Sequence, residues 1–214
     1  VTRQSESRLQ ATGAPISNIK DHQLRWRLTA DNERLSNDPT RAELGVTLGQ
    51  YPDAVSTVVP AGSYGKLDFA LKSQAALDAT GSLRLSGRLR GQWANRNLDG
   101  YNQITLGGVN GVRAYTSADG IGDRGLLGSL ELTQTLPMNA SISMFYDIGQ
   151  VILQAQPSAS SSLHRYALQG SGLQLQGRYF QLHYALTWAK GHGGYKAWLP
   201  SNIESSPNNQ RVNL

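Results

Sequence analysis

Apolar and polar residues alternate along most of this chain, with a repeat of two residues rather than 3.6. In the stretch RYFQLHYALTWAK, the apolar series from Phe180 to Trp188 alternates with Gln181, His183 and Thr187. In SLRLSGRLRGQW, leucines alternate with arginines in the same way. Because successive side chains of a β-strand point to opposite faces, this pattern predicts strands with one apolar and one polar face.

The alternation predicts ten strands, several of which are about ten residues long: 22–30, 42–50, 64–73, 82–93, 101–107, 126–136, 139–149, 165–176, 178–189 and a short strand from about 209. Soluble proteins usually have strands of about five or six residues, whereas a tilted strand that crosses a bilayer needs about 9–11. Long polar connections at 108–125, 150–164 and 190–208 alternate with short turns, as in outer-membrane barrels. The pattern favours an all-β fold, a transmembrane antiparallel β-barrel, over a fragment of a secreted β-sandwich or β-solenoid.

Composition supports a barrel with a wet interior. Charged residues make up 16% of the 214 residues, against about 25% in typical soluble domains. The mean hydropathy is nevertheless −0.39, because Gly, Ser, Thr, Gln and Asn are abundant. The chain has no cysteine, which excludes disulfide bonds and thiolate metal sites. The net charge of +5 is spread over the predicted strands without interleaved aromatic residues, so we expect no nucleic-acid partner.

The sequence shows no set of residues for catalysis or for a cofactor. Its four histidines, at positions 22, 164, 183 and 192, do not stand at ligand spacings from one another or from carboxylates. No Gly-x-Ser-x-Gly nucleophile motif occurs. The glycines near residue 110 are not followed by the Gly-Lys-Ser/Thr of a phosphate-binding loop. We therefore expect no enzyme activity, no metal and no cofactor.

A glycine-rich segment, GGVNGVRAYTSADGIGDRG at residues 107–125, separates two of the predicted strands. It resembles the hallmark loop of two-partner secretion transporters, the exporters of hemolysins and filamentous hemagglutinins, whose superfamily includes the outer-membrane insertase. The matching loop positions are Gly107, Gly108, Gly111, Val112, Arg113, Ala114, Tyr115, Gly122, Asp123 and Gly125. The following Ser-x-Glu-Leu, the later FYDIGQV and the upstream GQWANRNLDG resemble three further family motifs, and together the motifs cover roughly residues 82–151.

The resemblance implies that residues 1–214 are the C-terminal portion of a barrel, and that they supply the last ten of sixteen strands. The first strands and the periplasmic modules would then lie upstream of Val1. One position departs from the family, because Ala114 stands where the superfamily commonly has Gly. A methyl group at this position restricts positive φ angles.

The resemblance also implies that the segment 108–125 folds into the barrel lumen, where Arg113 pairs with Asp147. The residues themselves agree, because the apolar face from Ala140 to Ile148 would meet lipid and Asp147 would then point inward. A guanidinium can hold a carboxylate through two parallel hydrogen bonds. In the alternative interpretation, Arg113 is a solvated loop residue and Asp147 an ordinary wall residue.

Four more residues are expected to line the lumen. Arg84, Arg88 and Arg90 alternate with leucines, and Glu131 belongs to the Ser-x-Glu-Leu motif. A basic wall of this kind could guide a passing polypeptide or balance the acidic side chains. It could equally serve only to keep the lumen hydrated.

The function that the resemblance implies is export of one large, mostly unfolded exoprotein, β-helical once folded, from the periplasm to the cell surface. The transporter would lie in the lipid of the Gram-negative outer membrane as a monomer, gated by the inward-folded loop. Three alternatives stay open: a passive porin or solute channel, an outer-membrane protein-assembly factor of the same superfamily, and a structural β-domain that binds a partner at the surface.

Overall fold

The computed structural model describes residues 2–8, 15–32, 36–157, 165–192 and 210–213. These residues form the strands β1 (Thr2–Arg8), β2 (Pro15–Asp31), β3 (Thr40–Tyr51), β4 (Gly62–Ala76), β5 (Leu83–Ala94), β6 (Ile104–Thr105), β7 (Ile121–Gly122), β8 (Arg124–Leu136), β9 (Ala140–Ile152), β10 (Arg165–Tyr179), β11 (Leu182–Gly191) and β12 (Gln210–Asn213). Within these ranges, no helix is long and apolar enough to cross a membrane.

Ten of these strands form one antiparallel sheet in the order β1-β2-β3-β4-β5-β8-β9-β10-β11-β12. Neighbouring strands of the sheet follow one another in the chain, except that β6 and β7 intervene between β5 and β8 and pair only with each other. The all-β prediction is confirmed. The total of sixteen strands in the complete barrel stays a prediction.

The predicted strand at 101–107 is wrong. Only Ile104 and Thr105 have strand geometry, and they pair with β7 outside the large sheet. The physical reason is that β5 and β8 pair directly, with Gln92 opposite Gly125, so no position is left between them. Conversely, β1 was not predicted, because its sequence TRQSESR lacks alternating apolar residues.

The predicted two-faced character of the strands is confirmed. On β9, Ile142, Met144 and Ile148 are exposed, while the intervening Phe145 and Asp147 are buried. The same alternation places exposed Leu, Val and Trp side chains on one face of β2, β3 and β11. A continuous exposed apolar face is what lipid contact requires. We call the opposite face of the sheet the inner face.

The buried residues lie on the inner face in two clusters. One cluster contains Val112, Ala114 and Tyr115 from the connection between β5 and β8, packed on residues of β8–β11. The other cluster contains Tyr51 and Leu98 and lies against β3 and β4. The connection between β5 and β8 therefore covers the inner face of the sheet and supplies much of its apolar core. Of the two later predicted loops, residues 158–164 and 193–208 lie outside the described residues.

Two tight turns contain residues with a positive φ angle: the turn between β8 and β9, and the turn between β10 and β11, where Phe180 has a φ of 51°. Met138 and Asn139, between β8 and β9, have φ angles of 63° and 55°. Asn tolerates the left-handed region better than other residues that carry a Cβ, whereas Met does not. Met138 is also 82% exposed, so no buried contact compensates for its conformation.

Candidate functional site

The inner loop, residues 106–123, doubles back on itself between β5 and β8. The N–H of Leu106 donates a hydrogen bond of 2.9 Å to the carbonyl of Gly120. A Cβ atom at Gly107 would lie 1.9 Å from the carbonyl oxygen of Thr116. Only glycine lets the two limbs of the loop approach this closely.

Apolar side chains of the inner loop pack on the wall. Val112 is fully buried, and Ala114 and Tyr115 are each 1% exposed. They belong to the same cluster as Phe145 on β9 and Leu168 on β10. Removing this apolar surface from water holds the loop against β8–β11 independently of any charge.

Arg113 lies between these apolar residues and contacts Asp147 on β9. Its Nε and Nη2 atoms donate to Oδ2 and Oδ1 of Asp147, both at 2.9 Å. The backbone N–H of Arg113 donates to Oδ2 at 3.1 Å. The arginine is 6% exposed and the aspartate 0%. The contact is a buried bidentate pair, the strongest common geometry between a guanidinium and a carboxylate.

Three further side chains complete the surroundings of the guanidinium. Nη1 of Arg113 donates to Oε2 of Glu131 at 2.6 Å. The Ser129 hydroxyl accepts from Nη2 at 3.2 Å and donates to Oδ1 of Asp147 at 2.7 Å. The guanidinium carbon lies 3.4 Å from the centre of the Phe145 ring, a cation–π contact. One cation is thus shared by two carboxylates, and the cluster carries excess negative charge.

Strand register explains why these side chains meet. Ser129 lies directly opposite Asp147 in the ladder between β8 and β9. Glu131 and Phe145 lie opposite each other in the same ladder, two residues farther along and therefore on the same face. Sequence reasoning had placed Glu131 on the wall but had not singled out Ser129 or Phe145. The Ser-x-Glu-Leu and Phe-x-Asp motifs contained both residues, and the missing information was the register.

Ala114, the departure from the family pattern, fits its position. The described residues with a positive φ and a Cβ atom are Met138, Asn139 and Phe180, so Ala114 does not need the left-handed conformation. Its methyl group points at Gly170 on β10, where a built Cβ atom would lie 2.9 Å from the Ala114 Cβ. The small side chain of Ala114 on the loop therefore fits against a wall residue that has no side chain.

A second polar cluster on the inner face was not found from the sequence. Asn102 donates from Nδ2 to Oδ2 of Asp21 at 2.8 Å and to the Tyr51 hydroxyl at 3.2 Å. Its Oδ1 accepts from Gln23 at 2.9 Å, and the Tyr64 hydroxyl donates to both oxygens of Asp21 at 3.0 and 3.1 Å. Asn102 and Asp21 are 2% and 0% exposed. We call these five residues the Asn102 cluster; it fixes the segment before the inner loop to β2–β4.

Asp123, a predicted residue of the loop motif, makes contacts of its own. Its carboxylate accepts N–H hydrogen bonds from Leu98, Gln103 and Ala155 at 3.0, 2.8 and 2.7 Å. Burial raises the pKa of the Asp123 carboxyl, and these donors act in the opposite direction. Asp123 thus joins the segment before the inner loop to the connection after β9, and none of its contacts involves Arg113.

The three arginines predicted to line the lumen lie on one face of β5 but differ in their partners. Arg84 donates to the carbonyl of Gly81 at 3.1 Å, in the turn before β5. Arg90 donates to the carbonyl of Thr105 at 3.0 Å. For the side chain of Arg88, the described residues provide no hydrogen bond or ion pair.

Comparison with known proteins identifies the family. The family model for the haemolysin secretion/activation proteins ShlB/FhaC/HecB matches residues 21–177, which include the inner loop, Asp147 and the Asn102 cluster. The chain belongs to this family. Haemolysin secretion/activation proteins are β-barrel proteins of the Gram-negative outer membrane, which assigns the chain to that membrane. They form a class of transporters and not of enzymes.

Two solved structures share the fold of this family member. CdiB from Acinetobacter baumannii matches with a TM-score of 0.68 and 16% identity, over 91% of this chain and 33% of CdiB. BamA from Haemophilus ducreyi, lacking POTRA domains 1–3, matches with a TM-score of 0.50 and 12% identity, over 99% of this chain and 56% of that structure. The chain thus spans a third to about half of these structures. No curated protein matches its sequence.

Proposed function

We propose that the full-length protein exports one large, mostly unfolded exoprotein from the periplasm to the cell surface, and that the inner loop gates the passage. The exoprotein would fold into a β-helix outside the cell, and the transporter would act as a monomer in outer-membrane lipid. Family membership supports transport in the two-partner manner. The observation that carries the gating proposal is the burial of Arg113 against Asp147 on the inner face.

The contacts of the inner loop suit a gate that is stable when closed. The loop is held by apolar burial and by the ion pairs of Arg113 with Asp147 and Glu131. Breaking a buried ion pair by removing one partner costs about 3–5 kcal/mol, because a charge is left without compensation. A cargo segment that supplied another carboxylate to Arg113 would reduce this cost. The gate could then open without an external source of energy.

An exchange of the two charges tests the gate. Arg113→Asp gathers a third carboxylate beside Glu131 and Asp147, and Asp147→Arg opposes two arginines, so each change alone should abolish secretion of the partner. The double variant Arg113→Asp/Asp147→Arg restores opposite charges at these two positions, and the new arginine lies on the same face as Glu131, which is opposite Phe145 in the ladder. We expect the double variant to recover a measurable part of the secretion, in cells that express the full-length transporter and its partner.

Arg178→Asp is the matched control, because Arg178 is exposed near the turn between β10 and β11 and makes the same change of charge. Secretion should be unaffected by it. Absence of any recovery in a double variant that folds normally would contradict a direct Arg113–Asp147 lock. A passive porin would show the same solute flux in all four variants, and an assembly factor would lose other outer-membrane proteins rather than one secreted partner.

A further inference from the structure

A row of basic residues crosses the inner face next to the Arg113 site. Arg41 on β3 lies opposite Lys72 on β4, and Lys72 lies opposite Arg88 on β5. The same register continues from Arg88 to Ser129 on β8 and from Ser129 to Asp147 on β9. Adjacent strands are about 4.8 Å apart, so three cations lie side by side on the wall next to the Arg113–Asp147 pair.

The row is only partly neutralised by its surroundings. Arg41 has an ion pair of 2.9 Å with Glu43, which is also 3.7 Å from Arg27. The side chains of Lys72 and Arg88 have no hydrogen bond or ion pair within the described part of the chain. Like charges directly opposite each other destabilise a sheet. Two facing cations that form no ion pair with a described carboxylate are therefore a cost to the fold, which an anionic ligand would reduce.

Both side chains face a cavity of about 480 Å³ beneath the inner loop. Lys72 and Arg88 line one side of the cavity, and Gln174 and Thr187 line the other. Arg113 and Glu131 line the part nearest to Asp147. Most of the residues that line the cavity are polar, and none of them is aromatic. Nucleic acids are usually held by a basic groove together with aromatic stacking platforms, so this lining suits carboxylates better than bases.

We propose that Lys72 and Arg88, with Arg41 beside them, bind the carboxylates of an acidic, extended segment of the exported chain just before it reaches the inner loop. The inference rests on the proposed transport function and adds a substrate preference to it. Arg88 can offer a carboxylate two parallel hydrogen bonds, whereas Lys72 acts as a point charge. Lys72 is exposed and Arg88 half-buried, so water screens both charges and binding is weak and reversible. Transport requires weak binding, because a tight site would retain the cargo.

Equilibrium binding of a defined probe tests the proposal without secretion. The full-length protein in nanodiscs is titrated into dye-labelled hexa-aspartate, and into hexa-lysine for comparison, while fluorescence anisotropy is recorded. We expect hexa-aspartate to bind and hexa-lysine not to bind. Lys72→Gln/Arg88→Gln should weaken the binding about tenfold, since two water-exposed ion pairs are lost. Raising the salt from 0.1 to 1 M should weaken binding to the unchanged protein.

Arg178→Gln/Lys190→Gln removes the same charge from two exposed positions elsewhere and should leave the affinity unchanged. Heat-dependent gel mobility shows whether each variant is folded. If hexa-aspartate does not bind, or binds equally to folded Lys72→Gln/Arg88→Gln, the site is refuted. The anion site and the gate are tested separately. Binding of hexa-aspartate can support the anion site even when the Arg113–Asp147 exchange restores no secretion. Conversely, the anion site can be refuted while secretion still depends on the Arg113–Asp147 pair.

Discussion

Replacing Asp147 by Asn tests how much the Arg113–Asp147 pair contributes to holding the inner loop against the wall. The carboxylate accepts four hydrogen bonds, three from Arg113 and one from Ser129. Asn keeps the shape but turns one acceptor into a donor and removes the charge. Loss of one partner of a buried pair costs about 3–5 kcal/mol. We expect the lower part of that range, because Glu131 still contacts Arg113 at 2.6 Å.

A comparison within the same cluster sharpens this prediction. Glu131→Gln removes a single charged hydrogen bond from a residue whose side chain is 21% exposed. It should cost about 1.5 kcal/mol, the lower end for hydrogen bonds to charged groups. Asp147→Asn should therefore release the inner loop much more than Glu131→Gln.

Cysteine labelling measures this release directly. The chain has no cysteine, so Val112→Cys, at a fully buried position of the inner loop, reacts with a maleimide only when the loop leaves the wall. Each 1.4 kcal/mol changes an equilibrium tenfold, so Asp147→Asn should raise the labelling rate by roughly 10²-fold and Glu131→Gln by about tenfold. Equal rates for both variants, or a faster rate for Glu131→Gln, would refute the assignment of Asp147 as the main partner.

Three further predictions concern the stability of the fold. Asn102 donates from Nδ2 to Asp99 at 3.2 Å as well as to Asp21, so Asn102→Asp puts a third carboxylate beside these two and should lower the free energy of unfolding in urea by about 3 kcal/mol. Asn110→Asp, at an exposed loop position, should change it little, and similar losses for both variants would argue against the Asn102 cluster. Gly170→Ala should destabilise the protein by about 1–3 kcal/mol through overpacking, and Ala114→Gly in the same chain should recover part of this loss. Met138→Asn should stabilise the turn between β8 and β9 by about 1 kcal/mol by relieving its positive φ, and an unchanged unfolding midpoint would contradict that reason.

The sequence by itself determined the features that depend on local periodicity. A repeat of two residues fixes which side chains share a strand face, so the lipid-facing side of β9 and the inward direction of Asp147 could be derived without coordinates. Family resemblance marked Arg113 and the glycines of the inner loop, because a motif is also a local pattern. The basic residues of β5 were placed on one face for the same reason.

The tertiary structure decided everything that depends on which strands become neighbours. The alternation at 101–107 resembles a strand, but direct pairing of β5 with β8 excludes it from the sheet. Asp21 meets Asn102 across 81 residues, and Lys72 faces Arg88 only through the register of β4 and β5. Strand register is set by the packing of whole faces and by the connections between strands, so contacts between distant parts of the chain arise only when the sheet is assembled.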